Sequence, residues 1–243
     1  MNQIIVQKYG GACLATIDNI KQVAKRVIDT KNKGYSLVVV VSAMGDTTDH
    51  LLLQSREISS EPSKRELDML LTSGERISMA LLSMAINAHH VPAISLTGSQ
   101  CGIITNANHT EAEIIDIKGD RIKKALEADI IVIIAGFQGV SFEKEITTLG
   151  RGGSDTTAVA LAAYLKAVRC ELFKDVDGIY TEDPKKNPRS KLLLRISYDE
   201  ALTIIRNGSG ILHEKSVELA KKFGVVLEVK SGFCKTEGTI ISK

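Results

Sequence analysis

The segment Thr147-Thr148-Leu149-Gly150-Arg151-Gly152-Gly153-Ser154-Asp155-Thr156-Thr157-Ala158 places one guanidinium, bare glycines, hydroxyls and a carboxylate at the head of an Ala-rich stretch with helical character. Backbone N–H groups at a helix N-terminus point outward with roughly half a positive charge behind them, so a phosphate or carboxylate binds there readily. Gly152 and Gly153 let an anion approach the main chain, and Arg151 adds a planar fork. Asp155 reads either as the helix N-cap or as an orienter of hydrogen-bond donors. A plain capped helix after a tight turn is the competing explanation.

Other stretches have the same look. Ile4-Ile5-Val6-Gln7 reads as a buried strand that runs into Lys8-Tyr9-Gly10-Gly11 and then an amphipathic helix, a second arrangement suited to phosphate. Leu37-Val38-Val39-Val40-Val41 breaks at Ser42-Ala43-Met44-Gly45, and Ile130-Ile131-Val132-Ile133-Ile134 breaks at Ala135-Gly136-Phe137-Gln138-Gly139. In open α/β sheets ligands gather outside the carboxyl ends of the strands, so four glycine loops of this kind point to one shared cleft.

The elements that would position these loops follow from periodicity. Helices are predicted over about residues 16–31, 62–88, 118–127, 154–166, 198–206 and 213–223, alternating with apolar strands of which the last is 225–229. Alternation of this kind predicts a mostly parallel sheet covered on both faces. Residues 102–108 and 143–145 read as exposed loops or hairpin turns. No repeat or low-complexity linker divides the chain, which predicts one domain over residues 1–243.

These motifs resemble the catalytic domain of aspartate kinases, in the amino acid kinase family. The resemblance is carried by Lys8 to Gly11, Ser42 to Gly45, Thr72-Ser73-Gly74-Glu75, Ser95-Leu96-Thr97-Gly98, Gly136 to Gly139, Thr147 to Ala158, Asp175-Val176-Asp177-Gly178-Ile179-Tyr180-Thr181-Glu182-Asp183-Pro184, and Ser216-Val217-Glu218-Leu219-Ala220. It implies a three-layer αβα sandwich, with an acid-binding lobe over about residues 1–165 and a nucleotide-binding lobe over about 166–243. It also implies ATP with Mg2+ and transfer of a phosphoryl group to the side-chain carboxylate of aspartate, the opening step toward lysine, threonine and methionine. Lys8 is then the catalytic cation and Asp155 the aspartate that organises the lysines. Glu75 takes the substrate ammonium and Arg151 a substrate carboxylate, Ser42, Thr48 and Ser154 supply hydroxyls, and Phe137 forms a wall. The implied nucleotide contacts are Lys8, Gly10, Gly11, Lys174, Asp175, Asp177, Tyr180 and Lys185, with magnesium bridging phosphate oxygens and no side chain assigned to hold it. A strand-end surface lysine and a helical surface glutamate are the ordinary alternatives for Lys8 and Glu75.

Departures from the family pattern fall near the phosphates. Ala12 and Cys13 stand where Thr-Ser is usual, Lys185 where Arg is usual, and Gly210 where a lysine is usual. A related kinase for another amino acid, or a catalytically weakened partner subunit, would share the remaining motifs. The family commonly carries C-terminal ACT modules beyond the point where this sequence stops, so no regulation in cis is expected of these 243 residues.

Composition narrows the classes. With 44% apolar residues, 4% aromatic residues, no Trp and a formal charge of +2, the chain suits an aliphatic α/β core and offers no broad basic surface for nucleic acid. Lys21, Lys25, Arg26, Lys31 and Lys33 read as a solvated helix face. No uninterrupted apolar run approaches the ~20 residues of a membrane span, and no signal-peptide pattern is present, so a cytoplasmic enzyme is expected. Cys13, Cys101, Cys170 and Cys234 have no C-x-x-C spacing and read as reduced, mostly buried thiols. The five histidines show no metal-ligand spacing. The expected partners are therefore aspartate and ATP, without nucleic acid or membrane, and a homodimer is left open.

Overall fold

Runs such as Leu37 to Val41, apolar at every position, are stable only where both faces of a sheet are covered. The computed structural model, which describes residues 2–182, 184, 187 and 189–243, covers them with helices on both sides. In chain order the elements are β1 (Ile4–Tyr9), α1 (Ile17–Lys31), β2 (Ser36–Val41), α2 (Thr47–Ile58), α3 (Lys64–Asn87), β3 (Ala93–Leu96), β4 (Ile103–Thr105), β5 (Ile114–Ile117), α4 (Asp120–Glu127), β6 (Ile131–Ala135), β7 (Gln138–Val140) and β8 (Ile146–Thr148). There follow α5 (Gly153–Tyr164), β9 (Arg169–Lys174), β10 (Arg195–Ser197), α6 (Tyr198–Arg206), α7 (Glu214–Phe223), β11 (Leu227–Ser231) and β12 (Thr239–Ser242). A short 3-10 turn, Gly11–Leu14, joins β1 to α1.

The main sheet has the order β10-β12-β11-β9-β1-β2-β6-β3 and is parallel except where β12 runs against β11. On one face Ile5, Tyr9, Leu37, Val39, Ile131 and Ile133 pack under α1 and α3. On the other, Val6, Val38, Val40, Val132 and Ile134 pack under α4 to α7. This is the three-layer αβα sandwich expected from the sequence. Its order reverses at β1, which lies between β2 and β9, so the parallel ends of β1, β2, β6 and β9 open side by side at a topological switch point.

Local signals explain several boundaries. Thr16 caps α1 by accepting the Asn19 N–H at 3.1 Å, and Ser197 with Glu200 forms a reciprocal capping box on α6. Helix α5 is apolar nearly all round and correspondingly buried between sheet and α7.

Three expectations are corrected. A helix, α2, stands between β2 and α3 where none was predicted; only its Ser55 is buried, so it carries little amphipathic signal. Residues 103–105 are not exposed loop but buried strand β4, part of a second sheet of order β5-β4-β7-β8. Its strands have three or four residues, too few to show a period. Arg26 is not on a solvated face: it donates to the Ser231 carbonyl at 2.8 Å and stacks over Phe173, while Lys31 pairs with Asp129. Helix α3 is long and apolar enough on average to cross a membrane, with mean hydropathy 1.2 over its most apolar stretch, but Glu75 and Arg76 interrupt it. Half of that stretch is buried inside the protein, and Asp68 and Glu75 lie on its inner side, as in a core helix.

Candidate active site

Lys8 is the penultimate residue of β1, and the alternation of the strand turns it toward α5 rather than α1. It is buried, not an exposed strand-end lysine, and its Nζ lies 2.8 Å from Asp155 Oδ1. Lys174, the last residue of neighbouring β9, reaches the other oxygen, with Nζ 2.6 Å from Asp155 Oδ2. Asp155 thus bridges two ammonium groups. Burial alone would raise its carboxyl pKa, but the two lysines more than reverse that and hold it at about 2. Lys174 is itself lowered, first by burial and next by the Lys8 charge, against the pull of Asp155.

Asp155 is not the cap of α5. That place is taken by Gly152, whose φ of +71° suits glycine, and Asp155 sits within the first helical turn. The preceding Gly150–Gly153 loop leaves the small sheet at β8, whereas the other three glycine loops leave the main sheet at β1, β2 and β6. Arg151 is exposed on this loop and, among the described residues, forms no ion pair. Ser154 follows, nearly buried. Gly136, at the end of β6, lets it approach: a Cβ there would lie 2.9 Å from Ser154 Oγ. Phe137, half-buried, has φ of +69°, an uncommon conformation for a bulky residue. Its N–H donates to Thr157 Oγ1 at 3.1 Å and its carbonyl accepts from Leu149 N–H at 2.9 Å, which ties the β6 end to α5 and to the Arg151 loop.

Glu75 comes from α3. Gly74 lets the helix press against the β2 end, since a Cβ there would lie 2.8 Å from that of Ala43. The Glu75 carboxylate consequently reaches the Ala43 N–H, at 3.1 Å from Oε1. It is buried rather than a surface glutamate, and its Oε2 has no hydrogen-bond partner among the described residues. Burial pushes its carboxyl up to about 7, against smaller opposing effects of backbone N–H groups and the Lys8 charge. Ser42 and Thr48 are half-buried on the segment that Gly74 packs beneath, Ser42 just past β2 and Thr48 in the first turn of α2. Gly10 and Gly11 enter the 3-10 turn beside Lys8, and a Cβ on Gly10 would lie 3.7 Å from Lys8 Nζ. Cys13, further along that turn, is buried against Gly232 and offers no hydroxyl there.

A cleft of about 950 Å³ opens beside this cluster. Lys174, Asp175, Asp177 and Tyr180 are among the residues that line it, as are Asn207 to Ile211. Gly210 has open space where a side chain would project. Lys185 lies outside the described residues. Among the described residues no three His, Cys, Asp or Glu side chains converge as a metal site. All four cysteines are free, and only Cys234 is exposed.

Residues 3–231 match the amino acid kinase family. The chain belongs to that family. It is 50% identical over 240 residues to the aspartokinase of Bacillus sp. (strain MGA3), an alignment covering 99% of this chain and 58% of that protein. The fold matches the crystal structure of aspartate kinase from Synechocystis with a TM-score of 0.89 and 46% identity, covering 98% of this chain and 39% of that one. It also matches E. coli aspartokinase III in complex with aspartate and ADP, with a TM-score of 0.89 and 25% identity, covering 99% and 65%. The chain spans under two thirds of the length of each.

Sequence reasoning missed one group of side chains. Asp68 and Thr148, both buried, form a hydrogen-bonded cluster with the half-buried His109 and Thr110 at the foot of the Arg151 loop. Its available signal was the seven-residue spacing of Asp68 and Glu75, two helical turns, which puts both on one face of α3.

Proposed function

We propose that this chain is an aspartate kinase, transferring the γ-phosphoryl group of ATP to the side-chain carboxylate of L-aspartate. The observation that carries the reading is Asp155 held between Lys8 and Lys174 at the head of the cleft, beside a buried Glu75 with an unpartnered oxygen. Residues up to about 165 take the amino acid and residues from about 166 the nucleotide. The relative solved with aspartate and ADP supports both occupants.

In this reading Glu75 receives the substrate ammonium and Arg151 forks onto a carboxylate, with Ser42, Thr48 and Ser154 donating hydroxyls and Phe137 walling the pocket. Asp175, Asp177, Tyr180 and Lys185 hold the nucleotide, and Gly10, Gly11, Lys8 and Lys174 face its phosphates. Lys8 Nζ lies at ion-pair distance, 2.8 Å, from Asp155 Oδ1 and Lys174 Nζ lies 2.6 Å from Oδ2, so a Mg2+ would come with the nucleotide rather than be held by Asp155, and would supply positive charge to the phosphates. The acceptor is already a carboxylate at neutral pH and needs no general base. One of its oxygens bonds to the γ-phosphorus while the bond from that phosphorus to the β,γ-bridging oxygen breaks, and ADP leaves. The protein's work is to bring two anions into line and to balance the charge that shifts between them.

The test is hydroxylamine trapping of the acyl phosphate with MgATP across a panel of amino acids. Hydroxamate from aspartate and none from acetate is the expected result. Product from other amino acids and none from aspartate would replace aspartate as the acceptor.

A pH effect follows from Glu75. It must be ionised to attract an ammonium, and its carboxyl titrates at about 7 in the unliganded protein. The apparent KM for aspartate should therefore rise as pH falls below that value, by up to about tenfold per pH unit. Glu75→Gln should show a high, flat KM. Since a carboxyl raised above its unfolded value of 4.5 loses stability as pH climbs through that interval, the same variant should melt higher near neutral pH. A wild-type KM that is constant from about pH 5.5 to 8.5 would remove Glu75 from the ammonium site.

A further inference from the structure

Asp68 is a fully buried carboxylate outside the cluster that faces the reactants. Its Oδ1 accepts from Thr148 Oγ1 at 2.6 Å, its two oxygens share the Thr110 N–H at 3.1 and 3.2 Å, and Oδ2 faces His109 Nδ1 at 2.6 Å. All three partners belong to segments that bear on the Arg151 loop. Thr148 ends β8, and two residues separate it from Arg151. The Thr148 carbonyl accepts from Ala112 N–H at 2.8 Å, and a Cβ on Gly150 would lie 3.2 Å from the Thr110 carbonyl. The 109–112 turn is thus a ledge under the loop.

That ledge is strained. Thr110 has φ of +71°, a genuine outlier for a β-branched residue, and such a conformation persists only where surrounding bonds over-determine it. Here the double contact of its N–H with Asp68 supplies the bonds. Asp68 and Glu75 project from one face of α3, two turns apart. One rigid helix therefore holds Glu75 directly and the Arg151 loop through Asp68.

We infer that Asp68 is a positioning residue, which through Thr148 and the 109–112 turn sets the separation of Arg151 from Glu75 and so the length of amino acid the site accepts. The inference rests on the proposed roles of Arg151 and Glu75 as the two ends of an amino-acid clamp.

The experiment compares Asp68→Asn, Thr148→Val and Thr148→Ser in the full chain, measuring KM for aspartate, KM for ATP, the preference for aspartate over glutamate, and Tm. Asp68→Asn and Thr148→Val should raise KM for aspartate about tenfold and narrow that preference, with KM for ATP within about twofold of wild type. Thr148→Ser, which keeps the hydroxyl, should restore wild-type values. A lower Tm with unchanged KM for aspartate, an equal rise in both KM values, or a serine variant no better than valine would overturn the inference. If Asp68→Asn does not fold, the Thr148 pair decides alone. A wild-type chain that phosphorylates no amino acid overturns the proposed function and this inference together; an active wild type with indifferent variants overturns only the inference.

Discussion

Lys8→Ala is expected to lower kcat by about a thousandfold while changing KM for aspartate far less. The ammonium it removes is buried at the end of β1, beside Gly10 and 2.8 Å from Asp155. A charge placed there acts mainly where negative charge shifts from the γ-phosphoryl group to the leaving diphosphate, a feature of the transition state rather than of bound substrate. Lys174 remains, so some transfer should persist. A second consequence separates this variant from a simple loss of folding. The Lys8 charge is one of the influences holding the Glu75 carboxyl down, so its removal should shift the acid limb of aspartate binding to higher pH than about 7. Steady-state kinetics together with calorimetric titration of aspartate at several pH values would read both effects. Near-normal turnover in Lys8→Ala would mean that the N-terminal glycine loop is not where the phosphate reacts.

Asp155→Asn should be as damaging to turnover and also destabilising. With the carboxylate gone, the buried Lys8 ammonium and the half-buried one of Lys174 would face each other without that counter-charge. Breaking a buried ion pair from one side costs about 3–5 kcal/mol. In a chain of this length that corresponds to a fall in Tm of roughly 10 °C. The pH dependence carries the sign. Lys174 is already below its ordinary 10.5, by burial first and by Lys8 second, and Asp155 is what opposes them. Losing Asp155 lowers the folded pKa of Lys174 further, so the deficit should be greatest near neutrality and shrink as pH rises and Lys174 sheds its proton. In the wild type the Asp155 carboxyl, shifted from 3.8 to about 2, contributes stability that is fully present above the higher value and lost as pH falls toward the lower. Thermal melts of both proteins from acid to alkaline pH would show this. An asparagine variant with unchanged Tm and kcat would show that the lysines need no counter-charge.

What the sequence determined by itself was the inventory and much of its local placement. β1, β2 and β6 were legible because uninterrupted β-branched runs are compatible only with strands buried on both faces, and the glycines that end them mark loops rather than helices. The extents of α1 and α6 were legible from apolar periodicity, and the structure adds the caps that hold their N-termini, Thr16 and Ser197 with Glu200. Lys8, Arg151 and Asp155 could be singled out because their residue types sit in or beside glycine-rich loops, whereas Glu75, inside α3, was marked only by the family resemblance. Helix α2 and the small sheet were not legible: one buries a single residue and the other has strands shorter than a period needs. Only the tertiary structure decided which side chains meet. Asp155 lies between Lys8 and Lys174 because β1 is paired to β9 and α5 crosses above them, and strand order is a global property that no local spacing encodes. The same holds for protonation. Glu75 titrates at about 7 and Asp155 at about 2, although both are ordinary carboxylates in sequence, because one is buried with an oxygen unpaired and the other is buried between two ammonium groups.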